Sequence, residues 1–202
     1  MILAMALQQG RECYALSFDY GQRHQIELKS AAAVAAYYDV PLHTIKIDPT
    51  SFALSSLVST IKMPKGRTVE EIGTGGIPNT YVPARNTLFL AYALGQAEIL
   101  NAQEIYVGIN ATDSLPYPDC RPEFVHAFQS VINTATKQSV EGSAPKLITP
   151  LIHWNKHEIV RQGLLHNAPL HLTFSCYDPT EDDQPCHSCD ACILRDQAFK
   201  TS

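Results

Sequence analysis

The sequence predicts an α/β fold in which a parallel sheet carries helices on both faces. Short apolar stretches that end in turn residues alternate with longer stretches whose apolar residues recur at helical spacing. Hydrophobic residues make up 45% of the 202 residues and charged residues 17%, a globular balance that excludes disorder as the main state. A chain of this length can bury one medium-sized core, so we predict a single domain over residues 1–202.

The spacing of apolar residues, and the residues at which each apolar run ends, predict the individual strands and helices. Strand signals are short runs that stop at turn residues or proline, at residues 13–19, 43–48, 104–110 and 147–151. Helix signals, with their prolines and capping residues, lie at residues 25–38 and 86–100 and begin again at Pro122 and near Asn155. In the helix that starts at Pro122, one face holds Phe124, Phe128, Val131 and Ala135. Residues 50–79 lack a clear period and predict a long excursion of the kind that covers a site.

Charge and hydropathy exclude two classes of partner. Lys and Arg number 15 against 20 Asp and Glu, and this net charge of −5 disfavours stable binding to nucleic acid. The longest apolar runs, Met1 to Leu7 and Leu88 to Leu94, are far shorter than the roughly 20 residues that cross a bilayer. We therefore expect no membrane partner and a cytoplasmic protein.

The strongest local signal is a set of four cysteines near the C-terminus, Cys176, Cys186, Cys189 and Cys192, spaced C-x9-C-x2-C-x2-C. Two-residue gaps allow a tight turn to point successive thiolates at one centre, and four thiolates complete a tetrahedral shell. A closed, structural zinc site over residues 176–192 is the preferred interpretation. An iron–sulfur cluster uses the same ligands, and four unrelated buried thiols are the plain alternative.

Three further clusters could bind a ligand. In open parallel sheets ligands bind beyond the carboxyl ends of strands, and the loop after the first strand carries Tyr20, Gln22, Arg23 and His24. Free amides and a guanidinium at a helix start suit phosphate, and such a start carries Arg85 and Asn86. Polar groups after the third strand could read a purine-like base, and they include Asp113, Tyr117, Asp119 and Arg121. The competing interpretations are an ordinary polar turn for the first cluster and an ordinary capped helix for the second. Cys120, beside Arg121, could act as a nucleophile, but a packed thiol is the preferred interpretation.

Taken together, these motifs resemble a known enzyme family. SFDYGQRH at residues 17–24, GIPNTYVPARN at 76–86, YPDCR at 117–121 and the four-cysteine tail are similar to the 7-cyano-7-deazaguanine synthases over nearly the whole chain. The resemblance implies the N-type ATP pyrophosphatase superfamily, an adenine nucleotide alpha hydrolase-like fold with a five-stranded parallel sheet, and a structural Zn²⁺. It also implies an ATP- and Mg²⁺-dependent ligase that converts 7-carboxy-7-deazaguanine and ammonia to the nitrile, a step towards queuosine.

One departure from the family pattern concerns the phosphate loop. Family members begin with a strand and a Ser-Gly-Gly-x-Asp-Ser loop whose amides cradle ATP, and this sequence lacks that motif. Residues 1–7 resemble the helix that follows the loop. We therefore expect a native protein longer by about one strand and one loop, and we expect ATP turnover to require that loop.

Two other functions stay open at this level. A tRNA-thiolating ATP pyrophosphatase would share the fold and use cysteines, although the net charge argues against tRNA binding. A degenerate, non-catalytic zinc protein would keep the metal and bind a purine-like ligand without ATP turnover. We expect a homodimer, because parallel-sheet enzymes of this size commonly pair.

Overall fold

The computed structural model describes residues 1–22, 25–48, 50, 55–59, 61–72, 76–111 and 117–201. Strands and helices alternate as predicted, and the α/β class is confirmed. In chain order the elements are α1 (Ile2–Gln8), β1 (Ala15–Asp19), α2 (Ile26–Tyr37), β2 (Leu42–Lys46), α3 (Arg85–Leu100), β3 (Glu104–Tyr106), α4 (Pro122–Ala135), α5 (Lys137–Val140), β4 (Lys146–Ile148), α6 (Lys156–Leu165) and α7 (Asp190–Lys200).

The chain forms two compact units. The first unit consists of Met1, Leu3–Pro83 and Lys156–Ser202, and the second consists of Ile2 and Ala84–Asn155. The single domain expected from chain length stays a prediction.

In the first unit, β1, α2 and β2 form a β-α-β motif. The two strands are parallel, with Ala15 opposite Leu42 and Asp19 opposite Lys46. The helix between them ends after Tyr37 because Asp39 adopts a left-handed conformation, with φ of 53°. Parallel strands need such a crossover, so the motif accounts for the alternation seen in the sequence.

The second unit is built around a core shared by α3, β3 and α4. Its buried residues are Leu90, Leu94, Ala97, Ile105, Phe128 and Ile132. Ile132 has no exposed surface at all. β3 pairs in parallel with β4, and α4 lies between these strands in the chain. Burial of each leucine, isoleucine or phenylalanine side chain of this cluster contributes about 1.5–3 kcal/mol, which makes the cluster the main support of the unit.

Two details of the second unit differ from the sequence prediction. The third strand ends at Tyr106 rather than Asn110 and the last strand at Ile148 rather than Leu151, because the two strands pair over only three residues. On α4 the buried face carries Val125, Phe128 and Ile132, whereas Val131, expected on the buried face, is 48% exposed. The predicted face and the observed face both include Phe128 at helical spacing. Packing against α3 and β3 buries the face that contains Ile132.

Within the described ranges, no helix combines the length and the apolar character that crossing a bilayer requires.

Candidate functional site

The four C-terminal cysteines converge on one point in the first unit. The sulfur atoms of Cys176, Cys186, Cys189 and Cys192 all lie within 4.8 Å of one another. The Sγ atoms of Cys176 and Cys189 are 4.0 Å apart. In a tetrahedral zinc–thiolate site with bonds of about 2.3 Å, sulfurs stand about 3.8 Å apart. The donor set and its spacing therefore fit a metal ion, and we name residues 176–192 the knuckle.

Backbone amides orient the sulfurs of the knuckle. The amides of Asp178 and Cys186 donate to Cys176 Sγ, each at 3.3 Å. The amide of Tyr177 donates to Cys189 Sγ at 3.4 Å, and the amide of Cys189 to Cys186 Sγ at 3.4 Å. Such N–H···S bonds stabilise negative charge on sulfur and fix the ligand directions, as outer-shell contacts do in metal sites.

Local surroundings give the knuckle thiols different acidities when no cation is bound. Burial raises the pKa of Cys176 to about 11, and burial also raises the pKa of Cys192. Burial acts in the same direction on Cys186, but hydrogen bonds from Ser188 and the Cys189 amide outweigh it and lower that pKa to about 6. Because a metal binds thiolates, loading the knuckle must release protons.

Residues 20–22, directly after β1, are held to the end of that strand by the side chain of Gln22. Gln22 is buried, its Oε1 accepts from the Tyr20 amide at 2.9 Å, and its Nε2 donates to the Phe18 carbonyl at 3.3 Å. Tyr20 is buried as well. The side chain of Gln22 thus shapes the end of β1 from inside. Two other predicted residues of this loop, Arg23 and His24, lie outside the described residues.

The second unit brings two predicted residues into direct contact. The Asn86 amide donates to Asp119 Oδ2 at 3.0 Å, and Asn86 Nδ2 donates to the Asp119 carbonyl at 2.9 Å. Both residues are buried. Ala84, at the N-cap position of α3, is left-handed with φ of 54° and offers no side-chain cap. Asp119 therefore acts as a cap supplied from another part of the chain, which satisfies an amide at the start of α3.

The remaining predicted residues of the second unit surround this contact. The guanidinium of Arg85 lies 5.9 Å from the centre of the Phe89 ring. Tyr117 packs beside Ile109, Cys120 and Val125, and Arg121 is the exposed residue just before α4. Asp113 lies outside the described residues. Cys120 is buried and accepts from Asn86 Nδ2 at 3.4 Å, an environment that fits the packed thiol better than a nucleophile.

Sequence reasoning missed one set of residues, the segment 61–67, which we name the strap. It lies against the knuckle through two ion pairs, Lys65 with Asp178 and Arg67 with Asp190. The signal in the sequence is a basic run, KMPKGR at 62–67, whose charge is opposite to that of the acidic residues within 176–192. Partners separated by more than a hundred residues cannot be paired from spacing alone.

Comparison with known proteins gives one consistent result. The family described as "Queuosine biosynthesis protein QueC" matches residues 1–202. Among curated relatives, the 7-cyano-7-deazaguanine synthase of Rickettsia canadensis is 44% identical over 201 residues, covering 98% of this chain and 88% of its own. The proteins of the same name from Kineococcus radiotolerans and Pseudomonas fluorescens are 47% and 45% identical. They cover 98% and 100% of this chain, and 86% and 88% of their own.

Proposed function

The chain belongs to the queuosine biosynthesis protein QueC family, and from this premise we propose that it is an ATP-dependent ligase that makes 7-cyano-7-deazaguanine. The match of the family over all 202 residues carries the proposal. The substrates would be 7-carboxy-7-deazaguanine, ammonia and ATP with Mg²⁺. The names of the relatives do not favour the tRNA-thiolating enzyme or the non-catalytic zinc protein.

The proposed reaction activates one oxygen at a time. The carboxylate attacks the α-phosphorus of ATP, pyrophosphate leaves, and an acyl adenylate forms. Ammonia then attacks the acyl carbon, AMP departs, and loss of a proton gives the amide. A second ATP adenylates the amide oxygen with release of pyrophosphate, and departure of AMP with loss of both remaining N–H protons leaves the nitrile. Each activation converts a poor leaving oxygen into a good one, so the protein contributes mainly positioning and charge stabilisation.

The predicted ligand residues receive roles within this proposal. Arg85, at the first turn of α3, would bind phosphate oxygens, since a guanidinium favours an anion. Arg121 and Tyr117 flank the Asn86–Asp119 contact and would bind the deazaguanine. Because Asn86 and Asp119 satisfy one another, their role is to fix the start of α3. Tyr20 and Gln22 shape the loop that leads to Arg23 and His24.

Zinc is the metal we propose for the knuckle. Four thiolates suit Zn²⁺, and a complete shell of protein ligands leaves no position for a substrate. Its role would be structural. Metal analysis of protein purified from native cells tests this assignment, because iron with a visible charge-transfer absorption would indicate a cluster instead.

A cytoplasmic homodimer that binds no nucleic acid completes the proposal. The knuckle thiols must stay reduced to hold a metal, which fits a reducing compartment. Exposed apolar side chains on α3 and α4, among them Tyr92, Ile99 and Val131, support pairing of two copies. Sedimentation equilibrium tests the dimer, and binding to labelled tRNA at low and high salt tests the expected absence of a nucleic acid partner.

Turnover with ¹⁵N-ammonia is the decisive experiment. Protein from native cells, with its intact mass recorded, is incubated with the carboxylate, ¹⁵N-ammonia, ATP and Mg²⁺. We expect a ¹⁵N-labelled nitrile in the mass spectrum together with AMP. The Arg85→Ala variant should lose about tenfold or more in kcat/KM, the worth of a charged hydrogen bond, while Arg161→Ala on the exposed face of α6 should not. Formation of neither nitrile nor AMP would refute the function.

A further inference from the structure

The strap is joined to the knuckle by backbone contacts. Lys65 forms an antiparallel bridge with Cys189, and the Gly66 amide donates to the Ser188 carbonyl at 2.7 Å. The side chain of Met63 packs on the buried cysteines of the knuckle. The strap, which is far from the knuckle in sequence, therefore pairs with the backbone at Ser188 and Cys189, next to the metal ligands.

Two ion pairs add side-chain contacts to this junction. Lys65 Nζ lies 2.6 Å from Asp178 Oδ2. Arg67 binds both carboxylate oxygens of Asp190, with Nε at 3.0 Å from Oδ1 and Nη2 on Oδ2. The side chains of Arg67 and Asp190 are only 29% and 11% exposed. A two-pronged, largely buried guanidinium–carboxylate pair fixes geometry far better than a pair on the surface.

At its other end the strap contacts the segment 76–83, which continues into α3. Asn79 Nδ2 donates to the Lys62 carbonyl at 3.0 Å. Ser56 is fully buried, and its hydroxyl has two acceptors within reach, Met63 Sδ at 3.6 Å and Asn79 Oδ1 at 3.3 Å. The Ser56 amide donates to the Asn79 carbonyl at 2.9 Å. The hydroxyl of Ser55 donates to the Thr80 carbonyl at 3.3 Å. Ser55 and Ser56 are fully buried, whereas the bond between Asn79 and Lys62 is exposed, so only part of the link between strap and segment is shielded from water.

We propose that the strap transmits the state of the knuckle to the segment 76–83, with Arg67 and Asn79 as positioning residues. Metal binding fixes Cys189 and hence its neighbour Asp190, Asp190 holds Arg67, and the strap holds Asn79. The four sulfurs supply the complete ligand set, and residues 61–67 contribute no metal ligand, so the contacts of the strap act on the backbone around the ligands. The catalytic consequence rests on the proposed function, whereas the coupling itself does not.

Residue-resolved amide exchange tests the coupling without substrate. In Arg67→Ala the amides of Gly66 and Ser56 should both exchange about tenfold faster. In Asn79→Ala only the Ser56 amide should do so, because the bonds between strap and knuckle remain. Lys29→Ala is the matched control, since it removes the exposed ion pair of Lys29 with Asp183 of the knuckle and should change neither amide. Faster exchange at Gly66 but not at Ser56 in Arg67→Ala would overturn the proposal.

Metal removal provides an independent arm. Chelation of the knuckle metal should increase exchange at Ser56 in the natural protein, and in Asn79→Ala it should add little to the increase already present. Circular dichroism confirms that the helices persist during the measurement. If the two effects simply add, the knuckle does not act through the strap and the proposal is wrong. Should the metal-free protein unfold, the Arg67 and Asn79 variants still decide the question with the metal bound.

Kinetics then separate positioning from general loss of structure. Arg67→Ala should raise the KM for ATP about tenfold with kcat nearly unchanged, since the segment leads to the proposed phosphate site. Arg67→Lys, which keeps the charge and loses the two-pronged geometry, should recover only part of this effect. If kcat falls by the same factor as the fraction of correctly folded protein, the loss is one of general structure and a positioning role is refuted. If the natural protein makes no nitrile, the proposed function fails while the exchange results still decide the coupling.

Discussion

Removal of the Asp119 carboxylate should destabilise the second unit by about 2 kcal/mol. In Asp119→Ala the Asn86 amide loses a charged acceptor at 3.0 Å, and both residues are more than nine-tenths buried, so water cannot replace the bond. A hydrogen bond to a charged group contributes about 1.5–3 kcal/mol and a helix cap about 0.5–2 kcal/mol. These figures describe the same bond and are not summed. Asp119→Asn keeps an acceptor of lower charge and should cost about half as much.

Urea denaturation of the metal-loaded protein measures this effect. With a slope of about 2 kcal/mol per molar urea, the midpoint should fall by about 1 M in Asp119→Ala. Glu123→Ala is the matched control, because Glu123 is an exposed acid in the first turn of α4 and should change stability by no more than about 0.5 kcal/mol. A midpoint for Asp119→Ala equal to that of Glu123→Ala would refute the capping argument.

Two further predictions concern helix glycines and the knuckle. A Cβ at Gly95 of α3 would meet nothing within 4 Å, whereas a Cβ at Gly163 of α6 would lie 3.0 Å from both methyl groups of Leu170. Thermal unfolding should therefore show Gly95→Ala stabilised by about 0.5–1 kcal/mol. Gly163→Ala should be destabilised by about 1 kcal/mol, and equal shifts would contradict the packing argument. Cys189→Ser should abolish metal retention in elemental analysis while Cys13→Ser retains it, and a metal-loaded Cys189→Ser would exclude the four-thiolate site.

The sequence predicted those features that depend on the spacing of residues close together in the chain. The helix α3 and the four-cysteine knuckle follow from apolar period and ligand spacing, and both agree with the structure. The buried face of α4 was wrong at Val131, because period alone does not distinguish two stripes that share Phe128. The pairing of Arg67 with Asp190 spans 123 residues and depends on tertiary structure, so no local pattern contains it.

For the predicted ligand residues, too, the sequence identified the positions but not the contacts that tertiary structure gives them. Asn86 and Asp119, which belong to two separate motifs of the sequence, lie in contact and satisfy each other. A sequence pattern identifies which residues matter without separating those that touch a ligand from those that hold the backbone. Gln22 is a second example, since its amide group binds the end of β1.

The second unit is continuous in sequence apart from Ile2, whereas the first is discontinuous, and this difference has a consequence for biosynthesis. Residues 84–155 of the second unit emerge from the ribosome together, so this unit can fold while translation continues. The first unit must wait for residues 156–202, which include the knuckle. Until then β1, β2 and the strap stay exposed to chaperones and proteases. Chains truncated before residue 176 and released from the ribosome should therefore show a protected second unit and a protease-sensitive N-terminal segment.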